Sequence, residues 1–413
     1  VLCSLAARVV LLTSFGVALF VARMGRVFSR RRHAPARCIV ATGTFYSRNW
    51  FLSHAVPLSQ SGVDNVVFVA DEPQAGVAGL HFACPPRWVS KLLGRALSKF
   101  IWMVVAGFRY RPDLYMGFHI FPGALTALIV SRLFGRPACY QMTGGPIEVI
   151  GGGFSAENPV MKLLDGASKR LERWALSVVR EFDLVVVRGR RAAEYLASHG
   201  VARVAVITGS VEVPPIAEPR GRPIEMVFVG RLTEIKQPEQ FLEIAARVKE
   251  HRRDLRAVVV GDGPELPRLG DLSVARDLAD NVSFLGQLDN VAEILKQSKV
   301  FVLTSRSEGL SISMLEAMAW GVPVVAADVG ELGDLVVNGQ TGWLVHPGAI
   351  DDYRRRIVEL LDDEDLRCRL SSNARVAAKA AASRENVAAR WRKVFARVLP
   401  QGGPERGCSS KGH

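Results

Sequence analysis

Two glutamates eight residues apart, Glu308 and Glu316, stand in the run SRSEGLSISMLEAMAWG over 305–321. Ile312, Met314, Leu315, Ala317, Met318 and Trp320 make the helical wheel around Glu316 almost wholly apolar. An unpaired buried carboxylate costs several kcal/mol, roughly, unless something hydrogen-bonds it. Glu308-Gly309-Leu310-Ser311 reads as a turn opening a helix, and the free amides of Gly309, Leu310 and Ser311 would attract phosphate there. If the helix has begun by Glu308, the two carboxylates are about two turns apart and look into one cleft from different depths. The plainer reading makes Glu308 a favourable charge at a helix start and Glu316 a tolerated surface charge. Upstream, FVGRLTEIKQPEQFLEIAARV (228–248) supplies cations. Gly230 lets the backbone approach a ligand closely, and Arg231 and Lys236 lie just past a strand end, where a diphosphate is neutralised without a metal. Basic residues at such a place are also commonly only solvated.

These residues need a scaffold, and the chain supplies it twice. Short apolar runs rich in Val, Ile and Phe recur at 38–43, 65–72, 114–119, 138–144, 184–189 and 204–209, then at 225–230, 256–263, 281–288, 299–305, 323–330 and 342–348. Strands buried on both faces have this composition. With helical patterns between them, they predict an α/β chain of two doubly wound, Rossmann-like domains facing across a cleft. The predicted boundaries are an N-terminal domain over 35–212, a Pro-rich linker over 213–223 and a C-terminal domain over 224–384. A C-terminal helix over 385–400 packs back on the first domain, and 401–413 form a disordered tail.

Composition narrows the partners. The chain has 413 residues and a formal charge of +13. Residues 1–215 hold 25 Lys and Arg against 12 Asp and Glu, whereas 216–413 hold 28 of each. A one-sided basic field suits an anionic membrane surface, a phosphorylated lipid or a nucleic acid. Charge alone points to nucleic acid, with no aromatic platform or motif, so that partner is not expected. Six scattered cysteines without C-x-x-C pairs read as free thiols in a reducing compartment. Residues 2–21 are almost long enough to span a bilayer, followed by Arg23, Arg26 and Arg30 to Arg32, while Arg8 inside the run opposes spanning. Residues 1–34 are thus a membrane anchor or a basic leader. RWVSKLLGRALSKFIW (87–102), with Lys91, Arg95 and Lys99 at four-residue spacing, reads either as a basic amphipathic helix on an anionic membrane or as a core-packed helix with a solvated face.

The second half resembles the glycosyl transferases group 1 (glycosyltransferase family 4), which have the GT-B fold. The resemblance is carried by FVGRL with Lys236, GDGPE (261–265), FLGQL (284–288), SEGLSISMLEAMAWGVPVVAADVG and NGQTGWLV (338–345). It implies that Arg231 and Lys236 hold a donor diphosphate, that Glu308 lies near the transferred sugar, and that Gly309, Leu310 and Ser311 contact sugar and phosphate. It also implies that Glu316 bonds the ribose hydroxyls and that Gly230 and Leu288 join the donor contacts. In the first half the resemblance is thinner. It places His119, after a strand in PDLYMGFHIFPGALTALIVSRLFGRP (112–137), at the donor sugar, and leaves Gly43 of ATGTFYS (41–47) as the acceptor-side glycine.

The activity so implied is transfer of a sugar, with retention, from a nucleotide diphosphate sugar to a saccharide or lipid-linked acceptor. It would serve cell-surface polysaccharide or glycolipid synthesis at the inner face of the cell membrane. No metal and no cofactor beyond the donor are expected: DDED at 362–365 reads as a solvated turn. A nonhydrolysing sugar-nucleotide epimerase of the same fold, and a noncatalytic membrane-associated assembly partner, are the competing readings.

Overall fold

The computed structural model describes residues 2–25, 37–45, 47–73, 77–154, 156, 158–215 and 221–399. The first sheet contains β1 (Cys38–Thr42), β2 (Asn65–Val69), β3 (Leu80–Phe82), β4 (Leu114–Phe118), β5 (Ala138–Gln141), β6 (Leu184–Val187) and β7 (Val204–Val206), all parallel, in the order β3-β2-β1-β4-β5-β6-β7. The second contains β8 (Ile224–Val229), β9 (Ala257–Val260), β10 (Val282–Phe284), β11 (Ser298–Leu303), β12 (Val324–Ala327) and β13 (Gly342–Val345), in the order β10-β9-β8-β11-β12-β13. All six runs expected in the second half are strands. In the first half β3 is an addition: Leu80–Phe82, with only Leu80 buried, lies outside any run rich in Val, Ile and Phe.

Alternation explains why the strands read as continuous apolar runs. In β8, Met226 and Phe228 enter the core on one face of the sheet, and Val227 and Val229 the core on the other. In β1, Ile39 and Ala41 face one layer, Cys38 and Val40 the other. Each sheet reverses its strand order once, between β1 and β4 in the first (Ile39 opposite Leu114) and between β8 and β11 in the second (Val227 opposite Phe301). Ligands of open parallel sheets bind beyond the carboxyl ends of the strands at such switch points. His119 follows β4, Gly230 follows β8, and the loop to Glu308 follows β11.

The N-terminal helix, Leu2–Gly25, packs along the first domain. Ala7, Leu11, Phe15, Ala18 and Ala22 form a buried stripe at helical spacing that joins the core under the helices Leu125–Leu133 and Lys169–Val179. Arg8, unexpected in so apolar a run, pairs with Asp165 at 2.5 Å. One face of this helix is therefore part of a folded domain, which a freely spanning anchor would not be. The arginines at 26 and 30–32 lie outside the described residues, as does the tail over 401–413.

The basic helix is Arg87–Tyr110, and it is kinked at Gly94, where φ is 77°. The kink breaks the wheel on which Lys91, Arg95 and Lys99 shared a face. Lys91 and Arg95 are exposed, but Lys99 is buried, paired with Asp71 at 2.8 Å and donating to the Gly43 carbonyl at 3.1 Å. Lys99 is a structural charge rather than a surface one.

After the second sheet the chain returns. The helix Arg384–Val398 places Val387, Trp391 and Phe395 in the core of the first domain with Phe51, Ala55 and Leu58. Ser383 caps it by accepting from the Asn386 amide, and Val211 donates to the Ala382 carbonyl at 2.8 Å, tying both crossings together. Trp391→Ala should lower the unfolding free energy by about 3 kcal/mol, read by denaturant titration. A loss within experimental error would show that this return helix is not part of the first domain's core.

Candidate active site

A cleft of about 520 Å³ opens between the domains and is lined from both. Its position depends on one close approach. A Cβ on Gly309 would collide with the carbonyl oxygen of Thr143, so only glycine lets the loop after β11 lie against the loop after β5. A second interdomain contact fixes the angle. Glu331, buried, accepts from the amides of Arg191 (3.0 Å) and Ala192 (2.8 Å), and Asp334 accepts from the Arg190 amide (2.7 Å). Carboxylates of the second domain thus cap the helix Arg190–Ser198 of the first, where unpaired amides and the helix dipole favour negative charge.

On the second-domain wall, Lys236 and Glu308 form an ion pair at 2.5 Å, and the Ser305 hydroxyl donates to the same Glu308 oxygen at 2.7 Å. Both side chains are largely buried. The pair holds a cation and a carboxylate at the ends of neighbouring strands, with Arg231, Gly230 and Leu288 on the same wall. Glu308 precedes the helix rather than belonging to it: the helix is Ile312–Ala319, with Ser311 as N-cap accepting from the Met314 amide at 3.3 Å. The two-turn spacing therefore does not apply, yet Glu308, Gly309, Leu310, Ser311 and Glu316 all line the cleft. The steric demand expected of Gly230 falls elsewhere: a Cβ there would meet only the Phe228 ring at 3.6 Å, whereas Gly261, at φ 142°, lies directly against the Gly230 carbonyl.

Glu316 opens onto the cleft, and no hydrogen bond or ion pair reaches its carboxyl among the described residues. Burial pushes that carboxyl up to about 7. This is the stranded carboxylate the sequence pattern pointed to.

On the first-domain wall, His119 has φ 58° and ψ 146°, a backbone conformation costly for a residue with a Cβ. It is held by its neighbours. His119 Nδ1 lies 3.2 Å from Glu148 Oε1 and 3.2 Å from Thr143 Oγ1, and the Trp50 ring stacks on the imidazole at 5.9 Å and 15°. Glu148 is the hub that the sequence reading missed. It is buried, and it accepts from the Ile120 amide (2.8 Å), the Tyr140 hydroxyl (2.6 Å) and the Gly144 amide (2.7 Å). Burial alone would raise its carboxyl, but His119 and these donors outweigh it and hold the group below the ordinary range. The signal was present: an acid between Ile147 and Val149 in a glycine-rich apolar stretch is the same anomaly as Glu316.

Gly43 does not line the cleft. It is buried at the end of β1, where a Cβ would stand 2.6 Å from the Phe118 Cβ, and its carbonyl takes the Lys99 ammonium. Thr44, Ser47, Asn49 and Trp50 form that wall instead.

The raised Glu316 carboxyl has a consequence for stability. Its folded value lies above the ordinary 4.5, so the folded chain keeps a proton that the unfolded chain releases. Stability from this group is fully present below about 4.5, falls as pH rises towards 7, and is absent above it. Glu316→Gln should therefore stabilise the protein by on the order of 1–3 kcal/mol at pH 8 and by little at pH 5. Equal effects at both pH values in thermal unfolding would contradict the geometry.

Residues 212–377 match the family described as Glycosyl transferases group 1. Alpha-D-kanosaminyltransferase of Streptomyces kanamyceticus is 37% identical over 155 residues, 37% of this chain and 40% of the relative. The lipopolysaccharide core biosynthesis mannosyltransferase LpsB of Rhizobium meliloti is 30% identical over 225 residues, 50% of this chain and 63% of the relative. The chain thus spans less than two thirds of the length of these curated relatives. Among solved structures, sucrose-phosphate synthase of Thermosynechococcus elongatus superposes with a TM-score of 0.70 at 18% identity, over 87% of this chain and 98% of that one. HepE of Anabaena in complex with UDP superposes with a TM-score of 0.66 at 16% identity, over 87% and 100%. Residues 212–377 are thus similar to the glycosyl transferases group 1 family, and the chain that carries them has the two-domain GT-B fold.

Proposed function

We propose that the protein transfers a sugar from a nucleotide diphosphate sugar to a hydroxyl of a saccharide or lipid-linked acceptor, with retention of configuration. The observation that carries this reading is the meeting of the Lys236–Glu308 pair with the His119–Glu148 pair in one cleft, above a carboxylate that no group among the described residues satisfies. Glu316 takes the ribose hydroxyls, which answers its desolvation. The diphosphate lies between Arg231, Lys236 and the amides of Gly309, Leu310 and Ser311, and the transferred sugar lies towards Glu308 and His119. HepE, solved with UDP-glucose, supports a nucleotide-sugar donor.

The chemistry follows from where charge develops. As the bond from the anomeric carbon to the diphosphate breaks, negative charge grows on the leaving oxygen, and preorganised cations and amides lower the barrier most at that point. The acceptor oxygen bonds the anomeric carbon on the face the diphosphate leaves, and the acceptor proton passes to the departing phosphate. His119 hydrogen-bonds the donor sugar with its ring direction set by Glu148. No step requires a metal or a further cofactor. The acceptor enters along Thr44, Asn49 and Trp50. LpsB, by its name, acts in lipopolysaccharide core synthesis, which supports a role in surface polysaccharide or glycolipid synthesis. The free thiols among the described cysteines support a cytoplasmic site.

A panel of nucleotide sugars, assayed for nucleotide release with and without membrane lipid extract, tests the reaction. Acceptor-stimulated release is expected; conversion of donor without acceptor would make the protein an epimerase. With the active donor, Lys236→Ala should lower kcat about a hundredfold or more, and a full rate would remove its proposed role. Nucleotide affinity should weaken as pH falls below about 7, where Glu316 takes up a proton.

A further inference from the structure

The helix Leu125–Leu133 packs against the first sheet and touches both Arg87–Tyr110 on one side and the N-terminal helix, Leu2–Gly25, on the other. The outer surfaces of the two long helices are apolar and uncovered. Leu5, Val9 and Phe20 (68% exposed) project from the N-terminal helix, and Trp88 (69%), Leu92 (75%) and Leu97 from the other. Large apolar side chains left uncovered in this number mark an interaction site. Its charge says with what. The three helices contain no Asp or Glu, whereas Lys91 and Arg95 are exposed among the apolar side chains, as are Arg23 and Arg87, which pair with Glu181 and Glu72 from outside these helices. Lys91 and Arg95 form no ion pair among the described residues, and the sequence adds Arg26 and Arg30 to Arg32 directly after the first helix.

We infer that this face docks in plane on an anionic bilayer, the N-terminal helix lying in the headgroup layer rather than crossing it. The inner stripe of that helix, from Ala7 to Ala22, is committed to the domain core, so only its outer half is available to lipid. Apolar side chains then enter the acyl boundary while the basic groups meet lipid phosphates, and the two contributions add. The kink at Gly94 turns the first two turns of the basic helix so that Trp88 and Leu92 project outward while Lys99 stays inside. Both helices begin at the cleft end of the domain. Lys99 reaches the carbonyl beyond β1, and Ser4 accepts from the Asp165 amide near Met161, which lines the cleft. Docking itself does not rest on the transferase reading; if that reading holds, a lipid-linked acceptor would meet the cleft at the headgroup layer.

Flotation of the full chain with vesicles of phosphatidylcholine, alone or mixed with equal parts phosphatidylglycerol, tests this. The wild type should float with the anionic vesicles, less so at high salt, and alkaline carbonate should release it. Lys91→Glu with Arg95→Glu should weaken binding on the order of tenfold or more, and Leu5→Ser, Phe20→Ser, Trp88→Ser and Leu92→Ser together should abolish it. These side chains are exposed, and unchanged circular dichroism confirms the variants are folded. Failure of the wild type to float, or unchanged flotation of either variant, overturns the proposal. Retention after carbonate overturns the in-plane arrangement. A wild-type dimer in the absence of lipid that the apolar variant loses would assign the face to a second copy instead.

Discussion

The cleft exists because two backbones touch. Gly309 rests against the Thr143 carbonyl, and polar groups of the cleft meet at that contact: Glu308, paired with Lys236, on one side, and His119, bonded to Thr143, with Glu148 on the other. A side chain at Gly309 would push the domains apart at the point where their polar groups converge. The capping of the Arg190–Ser198 helix by Glu331 and Asp334 constrains the same geometry from the rim. These contacts are polar and directional, so they define one relative orientation rather than a greasy sliding interface.

Buried acids organise the rest. Glu148 is satisfied by three donors and a histidine, Glu308 by a lysine and a serine, and Glu331 by two helix amides. In each case folding supplies the partner that desolvation demands. Glu316 differs in kind. Its helix is packed from Met314 to Ala319 against the second sheet, which holds the carboxyl at the cleft, where burial raises its pKa. An acid left unanswered among the described residues, beside Glu148, Glu308 and Glu331 that are answered, has the chemistry of a site completed by a ligand.

How much of this was legible follows from how far each signal extends along the chain. Twelve of the strands lie in apolar runs and the Glu316 anomaly is likewise a local pattern, and periodicity reads local patterns. β3, Leu-His-Phe, lies in no such run. The role of Lys99 required knowing that Gly94 kinks the helix and that Asp71, far away in sequence, lies opposite; a helical wheel assumes neither. Gly43 was placed in the right loop but on the wrong side of it, because steric demand from Phe118 and demand from a ligand leave the same residue type. Glu148 carries the same local signal as Glu316, an acid in an apolar stretch, but the partners that define its role, His119, Tyr140 and the Gly144 amide, meet it only in the fold. Trp50 stacks on His119 from a helix 69 residues earlier in the chain, a pairing that only the fold brings about.

The N-terminal helix shows the opposite limit. Hydropathy sees a segment apolar all round and cannot separate the half that packs on protein from the half that does not. Only the contacts divide it: an inner stripe at spacings of three and four, and an outer face of equally apolar residues. Arg8 marks the boundary between the two faces. In a bilayer centre it would be a penalty, but here it sits at the margin between the two faces, paired with Asp165 of the domain, where a charge stabilises the docked helix and stays out of the core. The same arginine that counts against a spanning helix is thus an expected part of one that lies flat.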